Sequence, residues 1–199
     1  VIDNVRPDPF LIADNAALDF MNSECFFGDG MIEWIGNGAD LLSWMVKSDL
    51  ITEDIRVASE RQFSQKSLDD VAIKARSLRD WLRAFTAGSE KSDLKILTDI
   101  LAKDNLYWTV TQGDDDHALV WRQERTYKKA SDLLLPIAEV IGDFICNVDH
   151  THTRNCEGPQ CTLWFNDVTK NRKRRWCSMS VCGNRAKVAA HRERKRKLG

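Results

Sequence analysis

At 199 residues the chain has room for one mid-sized domain and a small one. Its 43% hydrophobic and 30% charged residues are the usage of a soluble globular protein. No apolar run approaches the roughly 20 residues that a bilayer-spanning helix needs, the longest candidate, Leu133 to Val148, being broken by Pro136, Glu139, Gly142 and Asp143. The formal net charge of −1 hides an asymmetry: residues 1–150 carry 16 Lys/Arg against 27 Asp/Glu, whereas residues 151–199 carry 13 against 3. An acidic body with a basic end points to a polyanionic partner for the basic part, or to attraction between the two parts. With no signal sequence at the start and no membrane span, a cytoplasmic protein is expected.

In chain order, residues 1–12 read as an irregular arm, since Pro7 and Pro9 oppose a helix. Asp14 is the expected N-cap of a short helix that buries Ala16, Ala17, Phe20 and Met21. Asp19 and Asn22 fall three apart on it, either lining a ligand pocket or bracing a neighbouring element. Phe26 to Gly38, with four glycines, reads as a loop. A helix from Asp40 should bury Leu41, Leu42, Trp44 and Met45. Thr52 followed by Glu53 and Asp54 opens the next, which should run to about Ser64. The clearest helix is expected from a Ser67 cap to Gly88, with Leu68, Val71, Ala75, Leu78, Leu82 and Phe85 on one core-facing stripe. Ser92 and Asp93 open a helix carrying Leu94, Leu97 and Leu101. Leu106–Gln112 and Ala118–Gln123 alternate apolar and polar residues about Gly113-Asp114-Asp115-Asp116, the signature of a hairpin. The three aspartates suit a solvated turn and lack the alternating ligand pattern of a calcium loop. Ala130 to Asn147 is a further helix, with Pro136 in its first turns or at a bend.

Four of the six cysteines then appear in two matched pairs. Cys156 and Cys161 are separated by four residues, Cys177 and Cys182 by four, and the pairs by fifteen. Two short thiolate loops brought together supply the tetrahedron of soft ligands that Zn²⁺ prefers, and four thiolates close its shell to water. Two disulfides would need an oxidising compartment. His150 and His152 could replace a cysteine, though local hydrogen bonding suits them as well. A strand at Thr162–Phe165, a turn at Asn166–Arg172 and a return at Lys173–Trp176 are expected to form the finger's hairpin around Trp164 and Trp176. A basic helix should follow Cys182. Lys170, Arg172, Lys173, Arg174 and Arg175 on the hairpin, and Asn184, Arg185, Lys187 and Arg192 on the helix, are the candidate nucleic-acid contacts. Arg174 and Arg175 are adjacent strand residues, so one should face outward and the other inward. Cys25 and Cys146 lie outside the metal set.

The run WFNDVTKNRKRRWCSMSVCGNRAK resembles the CGNR zinc finger, named for Cys182-Gly183-Asn184-Arg185, found at the C-terminus of bacterial ABATE-domain proteins. Cys156, Cys161, Cys177 and Cys182 fall on that family's ligand positions. Ala17-Leu18-Asp19-Phe20-Met21-Asn22-Ser23 resembles the motif that opens the ABATE part, with Ser23 where threonine is usual. The resemblance implies a stress-related, DNA-linked regulator.

The expected fold is mainly α (α+β), with a helical ABATE-like domain over residues 1–149, one inserted β-hairpin, and a treble-clef-like zinc finger over residues 150–199. The leading function is a DNA-binding transcription regulator with one structural Zn²⁺, RNA being a competing target. Its acidic body would sense a signal, bind a protein or form a homodimer. The rival is a zinc-stabilised protein-interaction module without DNA binding. No phosphate loop or nucleophile constellation appears, and the four histidines are scattered, so no enzyme is expected.

Overall fold

The computed structural model describes residues 6–27, 30–88, 93–113 and 118–198. Its elements, in chain order, begin with α1 (Ala16–Met21), β1 (Glu24–Phe27), β2 (Gly30–Glu33), α2 (Gly38–Lys47), α3 (Glu53–Gln62), α4 (Gln65–Thr86) and α5 (Lys95–Leu101). They continue with β3 (Leu106–Gln112), β4 (Leu119–Arg125), α6 (Leu134–Asn147), β5 (Thr153–Asn155), β6 (Trp164–Asn166) and α7 (Asn184–Leu198). The strands form three separate antiparallel ribbons, β1–β2, β3–β4 and β5–β6, so helices build the core. No described helix is long and apolar enough to cross a membrane.

The 22-residue α4 is the central element. Leu68, Val71, Ala75, Leu78 and Leu82 are buried along one face, and Phe85 is half-buried at the end. Against this face lie α1, α2 and α6, whose Phe20, Trp44 and Phe144 are among the largest buried side chains. The contact between α2 and α4 is close because Gly38 has no side chain: a Cβ there would stand 2.4 Å from Leu68 Cβ. The Gly38 amide instead donates to Asp69 Oδ1 at 2.8 Å.

Several boundaries differ from the sequence reading. Asn15, rather than Asp14, caps α1, its Oδ1 accepting from the Ala17 and Leu18 amides at 3.0 and 3.2 Å. Asp14 sits at φ 54°, outside the helix. Ser64, rather than Ser67, caps α4 by accepting from the Ser67 amide at 3.2 Å. Thr52 caps α3 as expected, accepting from the Ile55 amide. The expected loop from Phe26 to Gly38 instead holds the end of β1 and all of β2, paired with Cys25 opposite Ile32 and Phe26 opposite Met31. This ribbon is pinned from α4: Arg79 binds Glu33, and Arg83 binds Glu24 and the Met21 and Glu24 carbonyls. A 3₁₀ turn (Ala130–Leu133) precedes α6, and Pro136 falls in the first helical turn, where the missing N–H costs nothing. Ser92 and the aspartates 114–116 lie outside the described residues.

The C-terminal module is bonded directly to the body. Asn22 at the end of α1 accepts from the Trp164 amide at 2.9 Å and donates to its carbonyl at 2.8 Å. The Asn166 amide donates to the Ala13 carbonyl at 2.8 Å, and the Phe26 amide to Thr162 Oγ1 at 2.9 Å. Leu163 and Phe165 are 1% and 0% exposed, so the finger shares the body's core.

Candidate metal centre

Two chain segments carry the cysteines. The first is the loop between β5 and β6. It is closed by the Cys156 amide donating to the Leu163 carbonyl at 2.9 Å, and tightened by the Cys161 amide donating to the Gly158 carbonyl at 3.0 Å. Gln160 takes φ 60° in that turn. The second segment runs from Cys177 into a π-type turn (Met179–Gly183), whose Cys182 directly precedes α7.

The expected hairpin of 162–165 with 173–176 is corrected here: β6 pairs backward with β5, Thr153 opposite Asn166 and Asn155 opposite Trp164. Asp167 is the reason. Its buried carboxylate accepts from the Thr169 amide and hydroxyl at 3.0 and 2.6 Å and from the Arg174 amide at 2.8 Å, which folds 167–174 into a loop. Burial opposes the charge of Asp167, but these hydrogen bonds outweigh it and hold the carboxyl below its ordinary range. The Asp167-Val168-Thr169 turn is a signal the sequence reading missed.

The four sulfurs lie within 4.8 Å of one another. Cys161 to Cys177 is 3.9 Å and Cys177 to Cys182 is 3.6 Å. A tetrahedron with Zn–S of about 2.3 Å has edges of about 3.8 Å, so the spacing suits a single zinc ion. The Gly158 and Cys177 amides each donate to Cys156 Sγ at 3.3 Å, a donor set suited to a thiolate. A Cβ at Gly158 would stand 2.9 Å from Cys182 Sγ, so a side chain there would enter the cluster.

Without a cation the thiols cannot all ionise. The hydrogen bond from Cys177 pulls Cys161 down to about 5, the same contact pushes Cys177 up, and burial raises Cys182 to about 12. A divalent ion relieves that repulsion. His150 is engaged elsewhere, its ring edge-on to Phe144 at 4.7 Å, and His152 lies 3.5 Å from Asp149.

The expected nucleic-acid residues do not form one class. Lys170, Arg172 and Lys173 are exposed on the Asp167 loop. The Arg172 guanidinium also donates to the Asp167 carbonyl. Arg175 is exposed and pairs with Glu157 at 2.6 Å. Arg174 departs from the set because it is turned inward. Its guanidinium bonds the Ile12, Trp176 and Cys177 carbonyls and Asp14, and stands 4.3 Å from the centre of the Phe165 ring. On α7, Asn184, Arg185, Lys187 and Arg192 are exposed, with Asn184 Nδ2 3.2 Å from the Ser180 carbonyl. Asp19 and Asn22, expected in a pocket or as braces, have bracing bonds: Asp19 Oδ1 accepts from the Ile12 and Ala13 amides at 2.9 and 3.0 Å, and Asn22 holds Trp164.

Comparison with family models places two matches on this framework. Residues 14–147 match ABATE, described as "Putative stress-induced transcription regulator", and residues 152–195 match the CGNR zinc finger. No curated protein matches the chain.

Proposed function

The chain belongs to the ABATE family and ends in a CGNR zinc finger, and from that premise we propose that it is a transcription regulator whose finger binds DNA. The observation carrying this reading is the charge of the module that the cysteines organise. Residues 151–199 hold 13 Lys/Arg against 3 Asp/Glu, and Lys170, Lys173, Arg175, Lys187 and Arg192 stand exposed on it. Phosphates reward such a surface through counterion release.

One structural Zn²⁺ on Cys156, Cys161, Cys177 and Cys182 holds the Asp167 loop and the start of α7 in fixed relation. With four thiolates the metal keeps no open position, so its role is folding and no catalysis is assigned to it. The working division is a helical domain over residues 1–149 that receives a signal or a protein partner, and a finger over 150–199 that holds nucleic acid. Arg175 must exchange Glu157 for a phosphate on binding, which makes it a contact that sharpens as salt falls.

A salt titration of binding to duplex DNA tests the reading, with single-stranded RNA as competitor. Log affinity should fall with log salt with a slope of several units, and Lys173→Ala or Arg175→Ala should each reduce the slope by about one. Arg174→Ala should lower stability. If Lys170, Lys173 and Arg175 can all be replaced without changing affinity or slope, the finger is a protein-interaction module instead. Preferential capture by RNA would reassign the nucleic acid.

A further inference from the structure

We propose that the cavity between α4, α5 and the start of α6 binds a small amphipathic anion, an apolar chain or ring ending in a carboxylate. The cavity measures about 310 Å³, at the small end of ligand pockets. Its floor is apolar and fixed: Leu78 from α4 and Leu134 and Leu135 from α6 are 1%, 5% and 1% exposed. Its wall is Ile96 and Ile100 of α5. That helix has seven residues, and Leu97 is its one buried side chain, so Ile96 stays 38% exposed beside the buried floor. A ligand's apolar body lying there would take both isoleucines out of water.

The polar groups at the mouth select the other end of the ligand. Lys74 on α4 and Lys103 just after α5 flank the cavity from two sides. No ion pair is formed by either among the described residues, although Lys47, Lys66 and Lys95 each meet an aspartate. Both ammonium groups border the same apolar opening, so a carboxylate there would meet positive charge from two elements. Asp132 also borders the cavity, but its Oδ2 is engaged by the Lys128 and Lys129 amides, which donate to it at 2.8 and 2.9 Å. The Ser131 hydroxyl is a further polar group at the same opening. A carboxylate between the lysines with its apolar tail on the leucines matches the two cations and the apolar floor and wall.

The site gives the ABATE body a ligand class and does not require the finger to bind DNA, so the test contains no nucleic acid. Octanoate and the neutral 1-octanol are titrated calorimetrically into the zinc-loaded full chain. One equivalent of octanoate should bind. Lys74→Gln with Lys103→Gln should weaken it at least tenfold and leave octanol unchanged. Ile100→Trp should fill the cavity and abolish both, and Ser131→Phe serves the same purpose from the opposite wall should Ile100→Trp not fold. Three results overturn the proposal: no octanoate binding at millimolar concentration, equal binding by the double lysine variant, or binding that survives both filled variants. Loss of octanoate in Trp121→Ser alone would move the ligand to the exposed β3–β4 hairpin and overturn it as well.

Discussion

Arg79 is 2% exposed on α4, and its guanidinium meets the Glu33 carboxylate at 2.8 and 2.6 Å and Ser23 Oγ at 2.9 Å. Burial opposes the charge on Glu33, and the Arg79 hydrogen bonds outweigh it, so the Glu33 carboxyl sits below its ordinary value. Asp19 behaves in the opposite way. Burial raises it to about 6 despite the two amides it accepts from. The sign follows from which state holds the proton more tightly. For Asp19 the folded state does, so its contribution is full at low pH and is lost as pH rises from about 4 toward 6. For Glu33, Asp104 and Asp167, all lowered, stability is present above the unfolded value near 4 and lost on further acidification. The windows are therefore separate. As pH rises from 4 to 6 the Asp19 contribution should lower the melting temperature, relative to a variant without that carboxylate, by an amount equivalent to roughly 1–2 kcal/mol after solvent screening. Asp19→Asn, which keeps an acceptor for the Ile12 and Ala13 amides, should flatten that interval. Parallel melting curves for the two proteins from pH 4 to 6 would show that Asp19 is not the titrating group.

At the scale of elements, the β3–β4 hairpin is the least supported part of the body. Trp108, Val110, Leu119 and Trp121 share one face and are 58%, 67%, 73% and 68% exposed, with the two indoles 4.5 Å apart. A two-stranded ribbon is marginal alone, so its base must hold it. Arg125 does this, bonding Asp104 at 2.8 Å through two nitrogens and Glu139 at 2.8 Å. Its side chain is 8% exposed and that of Asp104 18%, so Arg125→Ala leaves the Asp104 carboxylate shielded without its partner and should cost about 2 kcal/mol, the half-exposed Glu139 being free to take up water. Removing Trp121 should cost under about 1 kcal/mol. Chemical denaturation of both variants checks the order, and a costlier Trp121→Ser would mean that the exposed face is covered in solution.

This hairpin was legible in the sequence because the alternation of its strands is local, as were α3 from its Thr52 cap and α4 from its apolar period. The β1–β2 ribbon was not. Its strands have four residues each, and the groups that fix them, Arg79 and Arg83, lie about fifty residues away along the chain. The clustering of Cys156, Cys161, Cys177 and Cys182 was readable from spacing alone. The pairing of β6 was not, since alternation at 162–165 cannot say whether the partner strand lies before or after it, and the Asp167 side chain decides.

Across the whole molecule, opposite charges and shared core join the two parts that the sequence separates. The finger contributes Leu163 and Phe165 to the body's interior, and Arg174 crosses to Asp14 and the Ile12 carbonyl. Zinc removal should therefore reach beyond the finger. Loss of the metal frees the loops that carry Cys156 and Cys177, β6 detaches from α1, and Leu163 and Phe165 are uncovered. At about 1.5–3 kcal/mol for each large apolar side chain, the remaining body should melt on the order of 10 °C lower. The core where α2, α4 and α6 pack on one another, with Trp44, Leu78 and Ile141 each no more than 1% exposed, is built mainly from the helices themselves and should keep them. Chelation, or Cys177→Ser, should thus remove the near-ultraviolet signal of Trp164 and Trp176 and the far-ultraviolet share of α7, while most helical ellipticity survives with a lowered midpoint. Complete loss of helix on chelation would mean that residues 1–149 cannot fold without the finger. An unchanged midpoint would mean that the Asn22, Ala13 and Arg174 bonds across the junction contribute nothing to the body.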